Sequence, residues 1–172
     1  IENTQDEVLL EVRGLTAEKG FRNINLKLRK GEVVGIAGLV GAGKTELVNA
    51  IFGNYKVKEG EIYIKGKPVK IRKPQDAIKH KIGLVPDERK QLGLITLFNI
   101  KENTVLPSIK RFAKLGFSNH KNEMQAAYEY NERMQLAYAT LWQQVSKLSG
   151  GNQQKIVIAK WVLADTEIFL FD

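Results

Sequence analysis

The segment Gly38-Leu39-Val40-Gly41-Ala42-Gly43-Lys44-Thr45 fits the pattern G-x-x-x-x-G-K-[ST]. Glycines at these spacings let backbone N–H groups converge on phosphate oxygens without Cβ atoms in the way. Lys44 adds a point charge that can reach β and γ phosphates, and the Thr45 hydroxyl can ligate Mg²⁺. A helix starting here adds its positive N-terminal end. A second glycine segment, Leu148-Ser149-Gly150-Gly151-Asn152-Gln153-Gln154, lies far along the chain. Its hydroxyl and open backbone can form another anion site where a helix begins. A third feature is the apolar run Ile168-Phe169-Leu170-Phe171 followed by Asp172. A carboxylate at the carboxyl end of a strand is where α/β sheets bind ligands, and it can hold Mg²⁺. The three together suit one nucleotide held between two surfaces.

Such groups need elements to aim them. Val33–Ala37 is wholly apolar and reads as a short strand of the buried parallel kind. The glycine loop and a helix over Thr45–Phe52, stopped by Gly53, follow it, which is the strand, loop and helix order the phosphate motif requires. Val8–Val12 and Ile24–Leu28 read as strands, and Glu61–Ile64 with Val69–Ile71 as a hairpin about Lys65-Gly66-Lys67. Pro74 opens a short helix through Lys79, Ile82–Val85 is another buried strand, and Pro86–Leu94 reads as a polar loop. From Asn99 to Gln144 the pattern turns helical, with Ala127, Tyr130, Met134, Ala137 and Tyr138 at helical spacing. Gly151–Leu163 reads as a last, buried helix before the final strand.

The expected fold class is α/β, with a mostly parallel sheet, antiparallel β elements near the N-terminus and an inserted helical subdomain. Residues 1–7 read as a linker, 8–98 and 146–172 as the α/β core, and 99–145 as the helical subdomain. With 43% hydrophobic residues among 172, the chain can bury a core, and it has no cysteine, so disulfides and thiolate metal sites are excluded. No apolar run reaches the roughly 20 residues that span a bilayer, and no secretory leader opens the chain. Lys and Arg number 27 against 19 Asp and Glu, a net charge of +8. The lysines are scattered and do not alternate with aromatics, so a solvated surface around a polyanion site is favoured over a nucleic-acid partner. Position 1 is Ile, and the chain stops straight after an apolar run, so the natural protein is expected to continue at both ends.

Leu148–Gln154 with the following Lys155 resembles the signature motif of ATP-binding cassette (ABC) proteins, in the longer form seen in importers of ribose, galactose, arabinose and xylose. The resemblance covers about residues 8–172. The stretches Gly35–Leu47 and Gly83-Leu84-Val85-Pro86-Asp87-Glu88-Arg89-Lys90, with Gly93-Leu94, resemble the second cassette of tandem sugar-importer ATPases. The resemblance implies binding and hydrolysis of Mg-ATP. Residues 38–45 would bind nucleotide, and Lys44 and Asp172 would carry the catalytic assignments. Thr45 and Asp172 would hold Mg²⁺, with Asp87 a further candidate. Leu148, Ser149, Gly150, Gly151, Asn152 and Gln153 would act in trans on the nucleotide of a partner cassette. It implies transmembrane permease subunits and, indirectly, a periplasmic or extracellular sugar-binding protein as partners, no nucleic acid, and a peripheral place on the cytoplasmic membrane face.

The departures from the family pattern are specific. Where typical cassettes carry a glutamine after the Ile82–Val85 strand, this chain offers Asp87, which can take a metal-bound water or simply turn the loop. Arg89 and Lys90 can reach phosphate or a membrane subunit, or stay solvated. No aromatic stands squarely where many cassettes stack adenine; Phe21 is nearest and fits a core position better. His80 and His120 read as ordinary surface or helix residues. The glutamate that many such ATPases place after the strand-end Asp is not in the chain, so a piece ending at Asp172 is expected to bind ATP and turn it over poorly. Competing readings are a regulatory cassette with little hydrolysis, a nucleoside importer, and a non-transport ABC ATPase.

Overall fold

The computed structural model describes residues 6–114 and 117–172, so most of the expected linker lies outside the described residues. The chain divides into two compact units. One holds the residues through Leu84 together with Ile168–Leu170 and Asp172; the other holds Val85–Glu167 and Phe171.

The first unit opens on a four-stranded sheet in the order β2-β1-β3-β4. Its strands are β1 (Val8–Ala17), β2 (Ile24–Arg29), β3 (Val57–Ile64) and β4 (Lys67–Val69). The long β1 pairs antiparallel with β2 and with β3, Leu10 facing Leu28 on one side and Ile64 on the other. Leu10, Val12 and Leu15 are buried along it. Lys65 and Gly66 both have positive φ, 49° and 74°, the primed turn that joins β3 to β4. The turn is therefore one residue tighter than expected: β4 starts at Lys67 and stops at Val69, short of Ile71.

Helix α1 (Lys44–Phe52) follows the glycine loop and stops at Gly53, whose left-handed N–H reaches the carbonyls of Asn49 and Ala50. It buries Leu47, Val48, Ala50, Ile51 and Phe52, and packs against α2 (Pro74–Lys79). Strand β5 (Ile82–Val85), buried at every position, pairs with β8 (Ile168–Phe171) in a second, parallel sheet. That pairing brings Asp172 to the end of a strand, as its sequence predicts.

One expectation for this unit fails. Val33–Ala37 joins no sheet ladder among the described residues. Val33 is 77% and Ile36 43% exposed. An apolar run marks a segment that gains by burial, but a strand also needs neighbours to take its N–H and C=O groups. The described strands pair with one another and leave this segment outside their ladders.

In the second unit, Pro86–Leu94 is not a plain loop: Arg89–Gly93 forms one π-helical turn, and Gly93 and Leu94 are buried. The helical stretch contains α3 (Ile100–Val105), α4 (Ile109–Phe112) and α5 (His120–Arg133), with a two-residue hairpin, β6 (Ala113–Lys114) and β7 (Phe117–Ser118), between the last two. Asn99 caps α3 in a full capping box with Glu102. Helix α5 ends at Arg133 because Gln135 turns left-handed, φ 51°, so Ala137 and Tyr138 lie beyond it rather than on its face. Its buried face is Glu123, Ala127 and Asn131, a spacing of four that carries two polar residues. Helix α6 (Gly150–Leu163) buries Ile156, Val157, Ala159, Trp161 and Leu163.

Candidate functional site

The phosphate loop is shaped by its own backbone. The Ala42 N–H donates to the Leu39 carbonyl at 3.1 Å and closes a turn. Gly43 then caps α1 in the left-handed region, φ 85°, with no side-chain cap. A methyl group there would fall 2.2 Å from the Gly20 carbonyl oxygen. Conformation and contact both demand glycine at this position. The first-turn amides of α1 lack a capping side chain and are available to an anion.

Lys44 reaches back over the loop. Its Nζ donates to the Gly38 carbonyl at 2.8 Å and to the Leu39 carbonyl at 2.9 Å. An ammonium has three protons, so these bonds fix the charge over the loop and leave one donor for a phosphate oxygen. Leu39 and Val40 point into solvent, so their side chains do not fill the cradle.

The Thr45 hydroxyl donates to Asp172 Oδ1 at 2.8 Å, across 127 residues of sequence. This contact joins two residues the sequence assigns to one metal. Both offer hard oxygens. Mg²⁺ is bound through one or two protein oxygens, several waters and substrate phosphates, so the pair fits that ion. Asp172 and Thr45 are exposed, open to a ligand from solvent. Phe21, 6% exposed, is a core residue, as its sequence context predicts.

The second glycine segment belongs to the other unit. Ser149 is the N-cap of α6, and its hydroxyl accepts from the Asn152 N–H at 3.4 Å. Gly151 is exposed, with open space where a side chain would project. The next two side chains are occupied within their own unit. Asn152 clasps Ala137, accepting from its N–H at 3.3 Å and donating to its carbonyl at 3.1 Å. Gln153 is buried and donates to the carbonyls of Val145 at 3.0 Å and Leu148 at 3.3 Å. Ser149 and the glycine backbone are thus what the turn presents outward. Asp87 is exposed in the same unit, and its carbonyl accepts from the Arg89 N–H at 2.9 Å.

Three buried charged side chains escape the sequence reading. Lys101 on α3 and Glu123 on α5 pair at 2.8 Å with side chains 7% and 2% exposed. Ser118 also donates to Glu123, and His120, mostly exposed, lies 3.3 Å from it. Burial alone would raise the Glu123 carboxyl, but hydrogen bonds from Lys101 and Ser118 and the Lys101 charge outweigh it and hold the group below its ordinary range. Lys160 on α6 is buried too, donates to the Gly93 carbonyl, and is pushed down to about 8 by desolvation. Charged residues at i and i+4 or i+7 of apolar helical faces were the available signal.

Comparisons with known proteins bear on the family and the fold. The family model for ABC transporters matches residues 21–172. The chain is 43% identical over 178 residues to the xylose import ATP-binding protein XylG of Thermoanaerobacter pseudethanolicus, a match covering 99% of this chain and 35% of that protein. It spans about a third of the length of the curated relatives it matches. Among solved structures, the dimeric post-hydrolysis state of the ATP-binding cassette MJ0796, bound to ADP and Pi, superposes with a TM-score of 0.75 at 26% identity, covering 95% of this chain and 73% of that one. A nucleotide-free ATP-binding cassette from an ABC transporter superposes with a TM-score of 0.76 at 20% identity, over 96% of this chain and 68% of that one, which is a likeness of fold.

Proposed function

This chain belongs to the ABC transporter family, and from that premise we propose that it is the nucleotide-binding engine of a sugar importer, holding and hydrolysing Mg-ATP. The observation that carries the reading is the Thr45–Asp172 contact beside a lysine-clamped glycine loop. The backbone amides of residues 38–45 and the Lys44 ammonium bind the phosphates. Thr45 and Asp172 would hold Mg²⁺, which would supply charge neutralisation for phosphoryl transfer when bound. Positioning and electrostatics carry most of such a phosphoryl transfer, and this loop is built for both.

Ser149 and Gly151 complete the site of a second cassette, in the same or a tandem polypeptide, in a head-to-tail pair. The dimeric form of the similar MJ0796 cassette supports pairing. Residues 99–145 act as the helical subdomain that passes motion to transmembrane permease subunits at the cytoplasmic face. A monosaccharide such as ribose, galactose or xylose, delivered by a binding protein, is the cargo class; the likeness to a xylose import protein supports it. No helix among the described residues is long and apolar enough to cross a membrane.

The buried Phe21 favours a second reading, in which ATP is a regulatory ligand and a partner cassette hydrolyses. Substituting Lys44→Ala in the full-length protein separates the two. Loss of transport and of hydrolysis by about a hundredfold or more, the scale of lost transition-state charge stabilisation, is expected for the engine; unchanged transport establishes the regulatory role.

A further inference from the structure

The two signature glycines have different surroundings. A methyl group on Gly151 would meet nothing within 4 Å, whereas one on Gly150 would fall 2.5 Å from Arg89 Nη2 and 3.4 Å from its Cζ. Gly150 is thus the seat of a guanidinium. Arg89 opens the π-helical turn Arg89–Gly93, an irregularity that concentrates at functional sites. The seat is fixed from the side as well. A methyl on Gly93 would fall 3.1 Å from Val157 Cγ2, and Lys160 donates to the Gly93 carbonyl. Gly150, Val157 and Lys160 lie on one face of α6, so the turn and the helix start form one body.

The placement is electrostatically costly without an anion. Arg89 Nε is buried with no hydrogen-bond partner. The guanidinium stands beside the first turn of α6, the positive end of the helix. Two like charges are brought together and a buried donor is left unpaired. Negative charge over the Ser149–Gly151 turn reverses the sign of the first cost. The Asn152 side chain and the Gln153 amide nitrogen are spent on internal bonds, and Arg89 reaches this turn from outside the motif.

We propose that Arg89 is a positioning residue for the Ser149–Gly151 turn, seated on Gly150 so that it orients the turn and adds the positive charge that draws a nucleotide's terminal phosphate to it. The proposal rests on the reading of Ser149 as a contact to a partner cassette's nucleotide. Its test uses the full-length protein, with steady-state ATP hydrolysis as one readout and calorimetric binding of ADP with Mg²⁺ as the other. Arg89→Met is expected to lower kcat by about tenfold, the scale of a charge-assisted contact. Affinity for ADP stays within about twofold, because the phosphate loop is untouched. Arg89→Lys restores most of the rate, since it keeps the charge. Gly150→Ala evicts the guanidinium and matches Arg89→Met, and the double variant is no worse than either single one. A methionine as active as the arginine overturns the proposal, as do single losses that multiply in the double variant. If Ser149→Ala hydrolyses like the wild type, the shared-site reading falls and this proposal with it. If Ser149→Ala is impaired while Arg89→Met is not, the role of Arg89 alone is refuted.

Discussion

At the scale of single residues, the phosphate loop shows what a motif states and what it leaves out. The pattern names Gly41 and Gly43 alike, yet the structure separates them. Both have positive φ, 81° and 85°, but a methyl on Gly41 meets nothing within 4 Å while one on Gly43 strikes the Gly20 backbone. Gly41→Ala is therefore expected to cost only conformational strain, about 1–2 kcal/mol. Gly43→Ala should cost clearly more and shift the loop, read as a larger fall in the thermal midpoint together with lost nucleotide binding. Equal effects would refute the distinction. Asp172→Asn makes a second test. The amide oxygen still accepts from Thr45, but the charge is gone. ATP affinity in EDTA should persist while the gain on adding Mg²⁺ falls by about tenfold, the scale of a charge-assisted interaction; an unchanged gain would remove Asp172 from the metal site. Lys44, Thr45 and Asp172 were legible because their chemistry fixes residue type. Arg89 was legible only as a charge able to reach phosphate, because its seat on Gly150 depends on a turn geometry no spacing encodes.

At the scale of elements, helices and strands with well-marked ends were read closely, and β5 and β8 fall on their predicted bounds. Helix α2 falls on its predicted bounds and α1 within one residue, because proline and glycine punctuate them. Val33–Ala37 was misread because ladder partners are a property of the fold, not of the segment. Helix α5 was overextended because Gln135 takes a left-handed turn without being glycine. Its buried polar face has a measurable consequence. Glu123→Gln leaves the buried Lys101 charge uncompensated, and a loss of about 3–5 kcal/mol in unfolding free energy is expected by denaturant titration. A loss under about 1 kcal/mol, the scale of an exposed pair, would show that water reaches the pair. Helix α6 carries a prediction with pH. The folded Lys160 loses its proton at about 8, below the ordinary lysine value of 10.5, so between those values the unfolded chain binds more protons. Stability from this group therefore rises with pH across that window and is lowest below pH 8. The difference in stability between wild type and Lys160→Met should change over that window and flatten outside it; a difference constant from pH 7 to 10.5 would show that Lys160 is not desolvated.

At the scale of the whole molecule, the two compact units divide the chemistry. The phosphate loop, Thr45 and Asp172 belong to one; Ser149, Arg89 and Asp87 belong to the other. One cassette in this reading donates its first unit to its own nucleotide and its signature turn to a partner's. Pairing should then depend on nucleotide: the full-length protein trapped with non-hydrolysable ATP and Mg²⁺ should bring a probe at the signature turn close to a partner phosphate loop, and Ser149→Arg should abolish that approach. The family and its fold were legible from three short segments, since each carries chemistry that few residue types can supply. The account stands most directly on the grip of residues 38–45 on a triphosphate. Calorimetric titration of the full-length protein with ATP and Mg²⁺ should give saturable heat that Lys44→Ala reduces strongly, with the gain from Mg²⁺ about tenfold smaller in Asp172→Asn. Titration heats that are absent from the wild type, or that survive Lys44→Ala unchanged, would contradict it.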